Sequence, residues 1–137
     1  MGLSDERFET SFEINDISGA IVDAAVEVHK TLGGPGLLES VYEEALAFEL
    51  TERGFRVERQ VAVPIVYKGR RIGPDLRLDL LVERAVIVEC KATSIDSPVF
   101  AAQALTYLRV ADLKVALVIN FGKCRVANGV RRIVNGL

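Results

Sequence analysis

Leu76-Arg77-Leu78-Asp79-Leu80-Leu81-Val82-Glu83-Arg84-Ala85-Val86-Ile87-Val88-Glu89-Cys90-Lys91 is the stretch on which the reading of this chain turns. Two apolar segments flank the polar pair Glu83-Arg84, which predicts two strands joined by a tight turn. Each strand carries one acid. Side chains alternate across a strand, so Ile87, Glu89 and Lys91 share one face and Val88 and Cys90 take the other. By the same rule Asp79 shares its face with Arg77 and Leu81, and the turn folds it back towards Glu89. Neighbouring carboxylates repel, and a site that keeps both ionised needs a cation between them. Mg2+ suits such a site, because it takes one or two carboxylates and completes its shell with water and phosphate oxygens. The plainer alternative is a Glu-x-Lys pair on a solvated strand face, with Asp79 in a loop.

The 137 residues, half of them apolar and 26% charged, have the make-up of one ordinary domain able to bury a core. No apolar run approaches the ~20 residues of a membrane span, and the acidic stretch Met1 to Asp16 lacks a secretory apolar region. A cytoplasmic location is therefore expected. Residues 1–14 show no clean period and predict a flexible leader, followed by a single domain over 15–137. Cys90 and Cys124 form no spaced cluster and His29 is the only histidine, which argues against zinc. His29 lies in an ordinary amphipathic segment, which speaks against a hydrolase triad built on it. The net charge of −2 conceals an asymmetry: residues 1–52 hold twelve acids and two bases, residues 53–137 seven acids and fifteen bases. The basic half could meet a polyanion, or acidic helices could simply neutralise a basic sheet. A pI of about 5.5 requires any nucleic-acid contact to be local.

From Asn15 or Asp16 as N-cap, Ile17, Ala20, Ile21, Ala24 and Val28 recur at helical spacing, and Gly33-Gly34-Pro35-Gly36 ends that helix. A second helix is predicted from Leu37 to Arg53, closed by Gly54. On it Glu39 lies in line with Tyr42, Leu46 and Leu50, while Leu38, Val41, Ala45 and Phe48 form a second apolar flank. Glu39 is thus expected among buried residues, where a carboxylate needs a partner or a metal. A helix-start acid favoured by the dipole is the alternative. Glu43, Glu44, Glu49 and Glu52 read as solvated charges.

Arg56 to Tyr67 alternates as a strand, with Pro64 predicting a bulge or an edge. Lys68-Gly69-Arg70-Arg71 makes a basic turn into a strand from Ile72 to Val82, kinked at Gly73-Pro74. Its bases could touch a phosphate backbone or be a solvated tip. Ser97-Pro98 starts a helix to about Val110, from which Gln103 and Tyr107 project on one face with Val99. A core tyrosine beside a satisfied glutamine is the alternative there. Val115 to Ile119 reads as a central strand and Val130 to Val134, with Arg131 and Arg132, as a last one. Helix, helix, three strands, helix, strand, strand is the order of a mixed sheet with helices packed against it, in one α/β domain.

Gly36-Leu37-Leu38-Glu39-Ser40-Val41-Tyr42 is similar to the motif that names the GxxExxY protein family, and the similarity runs from about Ile17 to Leu137. That family resembles the PD-(D/E)xK nuclease superfamily, with its restriction-endonuclease-like core of a mixed β-sheet flanked by helices. The resemblance implies Asp79 and Glu89 as metal acids, Lys91 as the lysine of the motif and Glu39 as the first-helix glutamate. Gln103-Ala104-Leu105-Thr106-Tyr107 is similar to the Gln-x-x-x-Tyr motif of the RecB-like branch. Leu78 stands where the superfamily name has proline, and Cys90 where an apolar residue is usual. The implied activity is Mg2+-dependent hydrolysis of nucleic-acid phosphodiesters, DNA foremost, with Mn2+ as substitute. Asp79 and Glu89 would hold the metal with the backbone carbonyl of Cys90, and Glu39 would join through water or a second ion. Lys91 would orient the attacking water or offset charge, and Gln103 and Tyr107 would position the phosphate. Two other classes stay open: a catalytically silent nuclease-fold module that binds protein or nucleic acid, and a metal-dependent hydrolase of another substrate. A homo-oligomer stays open as well.

Overall fold

Apolar periodicity separates the chain into helical and extended segments, and the computed structural model, which describes residues 10–137, realises them in that order. The helices are α1 (Ile14–Thr31), α2 (Glu39–Glu52) and α3 (Pro98–Ala111). The strands are β1 (Val57–Val63), β2 (Val66–Tyr67), β3 (Arg70–Arg71), β4 (Leu76–Val82), β5 (Val86–Lys91), β6 (Val115–Asn120) and β7 (Val130–Val134), with a 3-10 turn at Val126–Gly129 before the last. Five strands make one sheet in the order β1-β4-β5-β6-β7, while β2 and β3 pair separately. Among the described residues only β5 and β6 pair in parallel, and α3 is the crossover between them.

Two helical layers enclose the sheet. Ile17, Ile21, Leu46 and Leu50 of α1 and α2 pack on Leu80, Val82, Val88, Leu117 and Ile119. Ala104, Leu108 and Ala111 of α3 cover Leu81, Ile87, Ala116 and Val118 on the other face. Covered on both sides, β6 is buried along its whole length, as its unbroken apolar run predicts. Among the described residues no helix is long and apolar enough to cross a membrane.

Several boundaries differ from expectation for identifiable reasons. Helix α1 begins at Ile14, and Asn15 lies inside it, its side chain accepting from Arg132 at 2.8 Å. Just ahead of it Thr10 donates to Glu83 at 2.6 Å, and Phe12 packs on Phe55 with centroids 4.7 Å apart. The last residues of the expected leader are thus fastened to the sheet, and residues 1–9 lie outside the described residues. Pro64 directly follows β1, an edge strand of the sheet, so of the two expectations for it the edge holds, and β4 starts only at Leu76 because Gly73-Pro74 interrupts the ladder. Ser97 does cap α3, accepting from the Val99 amide at 3.2 Å, with Pro98 as the first helical residue. His29 is buried and hydrogen-bonded through Nε2 to the Phe121 carbonyl at 3.1 Å, a core histidine.

Helix α2 starts at Glu39, two residues later than expected, since the chain before it is held by Tyr42. The Tyr42 hydroxyl donates to the Gly34 carbonyl at 2.7 Å and accepts from the Leu37 amide at 3.1 Å. Its fully buried ring stacks on Phe121 at 4.7 Å and 6°. One phenol thus clamps the glycine turn onto the helix start. Tyr42→Phe keeps the stacking but strips both backbone groups of their partner, so it should lower unfolding stability by about 1–3 kcal/mol. Denaturant unfolding with an unchanged m-value is the measurement that checks it.

Candidate functional site

The site begins where β4 parts from β5. Their ladder spans only Leu80↔Val88 to Val82↔Val86, although β5 continues to Lys91 along β6. On the other side β4 keeps one register with β1 from Val57↔Val82 to Val63↔Leu76, but skips Gln60 and Asp79. Gln60 adopts φ 53, a left-handed conformation that costs a side-chain-bearing residue about 1–2 kcal/mol. Side-chain alternation changes phase at this point. Leu80 and Val82 pack beneath α1 and α2, whereas Leu78 joins the α3 layer; on β1, Val57 packs in the first layer and Val61 and Val63 in the second. Strict alternation, which placed Asp79 with Arg77 and Leu81, therefore fails at Asp79.

Carboxylates complete the interrupted ladder. The Asp79 amide donates to Glu89 Oε2 at 3.0 Å, and the Cys90 amide donates to Asp79 Oδ2 at 2.8 Å. Each acid thus satisfies a backbone N–H of the other strand that would otherwise be orphaned in a half-buried gap. The turn at the far end of the hairpin has the predicted form, Glu83 and Arg84 at φ 54 and 51.

Burial, then the charge of Asp79, pushes the Glu89 carboxyl up to about 8, and Glu89 is only 5% exposed. Asp79 is raised as well, first by burial; the Cys90 N–H pulls it back and the charge of Glu43 pushes it further. Glu39 is raised by burial of its carboxyl and by Asp79 and Glu43, against the pull of Lys91. Tyr107 is raised by burial, with Glu89 and Asp79 adding to it. Acids from α2, β4 and β5 and a phenol from α3 therefore share one electrostatic neighbourhood. Lys91 reaches into it with its Nζ 4.9 Å from the Phe100 ring centroid, and Gln103 lies half-buried one turn before Tyr107.

Two expectations on α2 are reversed. Glu39, expected among buried residues, is exposed as a residue, and Glu43, expected to be solvated, is 5% exposed. The helix turns Tyr42, Glu43, Leu46 and Leu50 inwards and leaves Leu38, Val41 and Phe48 exposed. Glu43 accepts from Arg59 Nη2 at 3.2 Å and from Gln60 Nε2 at 2.9 Å. The Gln60 amide also pulls the Asp79 carboxyl slightly back down, so polar groups of α2, β1 and β4 act on one another here. The spacing of Glu43, Leu46 and Leu50 is the signal that would have found it.

Among the described residues no three His, Cys, Asp or Glu side chains close on one point as a metal cluster. Asp79 and Glu89 nevertheless form a two-carboxylate set, enough for Mg2+ with its retained waters, and burial before any other cause raises both carboxyls, against the pull of Lys91. Cys90 could add only its carbonyl. Its thiol is fully buried in the α1–α2 layer and pushed well up by that burial.

Compared with known proteins, residues 15–133 match the family model described as the PD-(D/E)XK nuclease superfamily. No curated protein and no solved structure matches the chain.

Because Glu89 binds its proton more tightly folded than unfolded, its stabilising contribution is complete below its ordinary value of 4.5 and is lost as pH rises towards about 8. Ion-free wild type should therefore lose thermal stability between about pH 5 and about pH 8, at up to about 1.4 kcal/mol per pH unit. Glu89→Gln keeps an oxygen for the Asp79 amide and removes the buried charge. Its melting temperature in chelator should exceed that of wild type at the alkaline end and match or fall below it at the acid end.

Proposed function

The chain belongs to the PD-(D/E)XK nuclease superfamily, and from that premise we propose that it is a Mg2+-dependent nuclease that hydrolyses nucleic-acid phosphodiesters, with DNA as substrate. The observation that carries the proposal is the exchange of Asp79 and Glu89 across the parted strands, which turns one buried and one half-buried carboxylate towards one gap. Within the superfamily we assign the chain to the GxxExxY group from Gly36, Glu39 and Tyr42, and to the RecB-like branch from Gln103 and Tyr107. Residues 15–137 act as one domain in this reading, in the cytoplasm.

Asp79 and Glu89 would hold the ion, with the Cys90 carbonyl as a third oxygen and Glu39 reached through water. When bound, Mg2+ or Mn2+ supplies Lewis acidity at the phosphoryl oxygen and acidifies a water. Lys91 sits on the same strand end, where its amine orients the attacking water and offsets charge that grows on the phosphate. Tyr107, raised by its surroundings, stays protonated at neutral pH and donates to a phosphate oxygen, with Gln103 beside it. Glu43 already accepts from Arg59 and Gln60, which makes it a brace rather than a ligand.

A nuclease-fold binding module without turnover is the rival, favoured by the lack of a three-ligand closure among the described residues. Calorimetric titration with Mn2+ separates the two, since an active centre should bind the ion in wild type and lose it in Asp79→Asn. In cleavage assays on plasmid and single-stranded DNA, Asp79→Asn, Glu89→Gln and Lys91→Ala should each lower Mg2+-dependent turnover by about 100-fold or more. Equal trace activity in wild type and Lys91→Ala would sink the enzymatic reading.

A further inference from the structure

Four acids gather at the proposed centre: Glu39, Glu43, Asp79 and Glu89. A polyanion is repelled there until a cation arrives, so the energy that captures substrate has to come from another part of the surface. The β1–β4 ribbon supplies it. Beyond Val63↔Leu76 the ribbon does not stop: the Ile72 amide donates to the Ile65 carbonyl at 2.9 Å, carrying the pairing past Pro64 to Val66↔Arg71 and Tyr67↔Arg70. A two-residue turn closes it, Lys68 and Gly69 at φ 49 and 81. This hairpin leaves the sheet from the half of β4 that has parted from β5, the half that carries Asp79.

Its chemistry is one-sided. Residues 59–78 contain five bases, Arg59, Lys68, Arg70, Arg71 and Arg77, and one acid, Asp75. Arg59 is engaged by Glu43, whereas Arg77 lies exposed two residues before Asp79 on β4, its Nη1 donating to the Gln60 carbonyl at 3.3 Å. Asp75 grips Arg71 through both carboxylate oxygens at 2.8 and 3.0 Å, an exposed ion pair that orients the guanidinium more than it stabilises the fold. At the tip Tyr67 is 61% exposed, and Lys68 Nζ lies 5.4 Å from its ring centroid. At strand rise the tip lies at most roughly 30 Å from Asp79, within one turn of a nucleic-acid strand bound at the centre.

We infer that this hairpin is a substrate-binding arm that takes the phosphodiester backbone of nucleic acid, with Lys68, Arg70, Arg71 and Arg77 on phosphates and Tyr67 against an unpaired base. The inference rests on the nuclease reading for its substrate class, but it concerns binding, not cleavage. Exposed cations contribute counterion release on any strand, while stacking on Tyr67 requires a base out of its duplex.

Fluorescence anisotropy in chelator, with labelled single-stranded and duplex DNA of one sequence, tests it without turnover. Lys68→Ala/Arg70→Ala should weaken both by about tenfold and flatten the plot of log affinity against log salt by about 1 to 2 units. Lys68→Arg/Arg70→Lys should restore both. Tyr67→Ala should weaken single-stranded binding alone. Wild-type affinity and salt slope in Lys68→Ala/Arg70→Ala, or lost affinity with an unchanged slope, would overturn the assignment. Arm-dependent binding by a wild type that cleaves nothing would remove the nuclease reading and leave the arm; cleavage by Lys68→Ala/Arg70→Ala at wild-type KM would do the reverse.

Discussion

The separation of β4 from β5 at Asp79 is the constraint from which the rest of this molecule follows. Parting two central strands exposes backbone amides that a continuous ladder would satisfy, and an orphaned buried amide costs about 1–3 kcal/mol. Here the amides of Asp79 and Cys90 are met by the carboxylates of Glu89 and Asp79. The solution carries its own penalty: Glu89 is now buried and Asp79 half-buried, and burial first, then the charge of Asp79 on Glu89 and of Glu43 on Asp79, makes both hold their protons more tightly than usual. Structural repair of the ladder and the creation of a site short of positive charge are one event.

Such a gap survives only if what surrounds it is over-determined. Six residue pairs hold β5 parallel to β6 right through to Lys91, and three pairs on each side of Gln60 and Asp79 keep β1 and β4 in register. The strained Gln60 is itself anchored, since its side chain reaches Glu43 and its carbonyl receives Arg77. Each helical layer adds a wall. Helix α2, whose start is clamped by Tyr42, brings Glu39 and Glu43 from one side, and α3 brings Tyr107 from the other.

The division of charge along the chain has a spatial meaning in this frame. Acids collect at the gap, while the bases of residues 59–78 lie along the ribbon that leads away from it. Under the proposed function, an acidic centre beside a basic hairpin would separate the ground for holding a divalent cation from the ground for holding a polyanion.

Local features were legible from the residues alone. The hairpin at Glu83-Arg84, the Ser97-Pro98 start, the glycine stop after α1 and the buried run of β6 depend on neighbours in sequence, and the structure shows each where its chemistry predicts it. The placement of Asp79 opposite Glu89 follows from the same hairpin. What stayed hidden depends on partners far along the chain. Helix α2 has apolar residues on two flanks, so periodicity could not say whether Glu39 or Glu43 turns inwards; contact with the sheet, with Arg59 and with Gln60 decided it. A glutamine with left-handed dihedrals leaves no mark in a sequence, so the change of phase at Gln60 and Asp79 was equally invisible. Residue order settled which groups can meet, because turns and caps act over a few positions; which of them face the gap was left to packing between elements, because rotation of a helix and divergence of a strand are fixed only by what lies across the core.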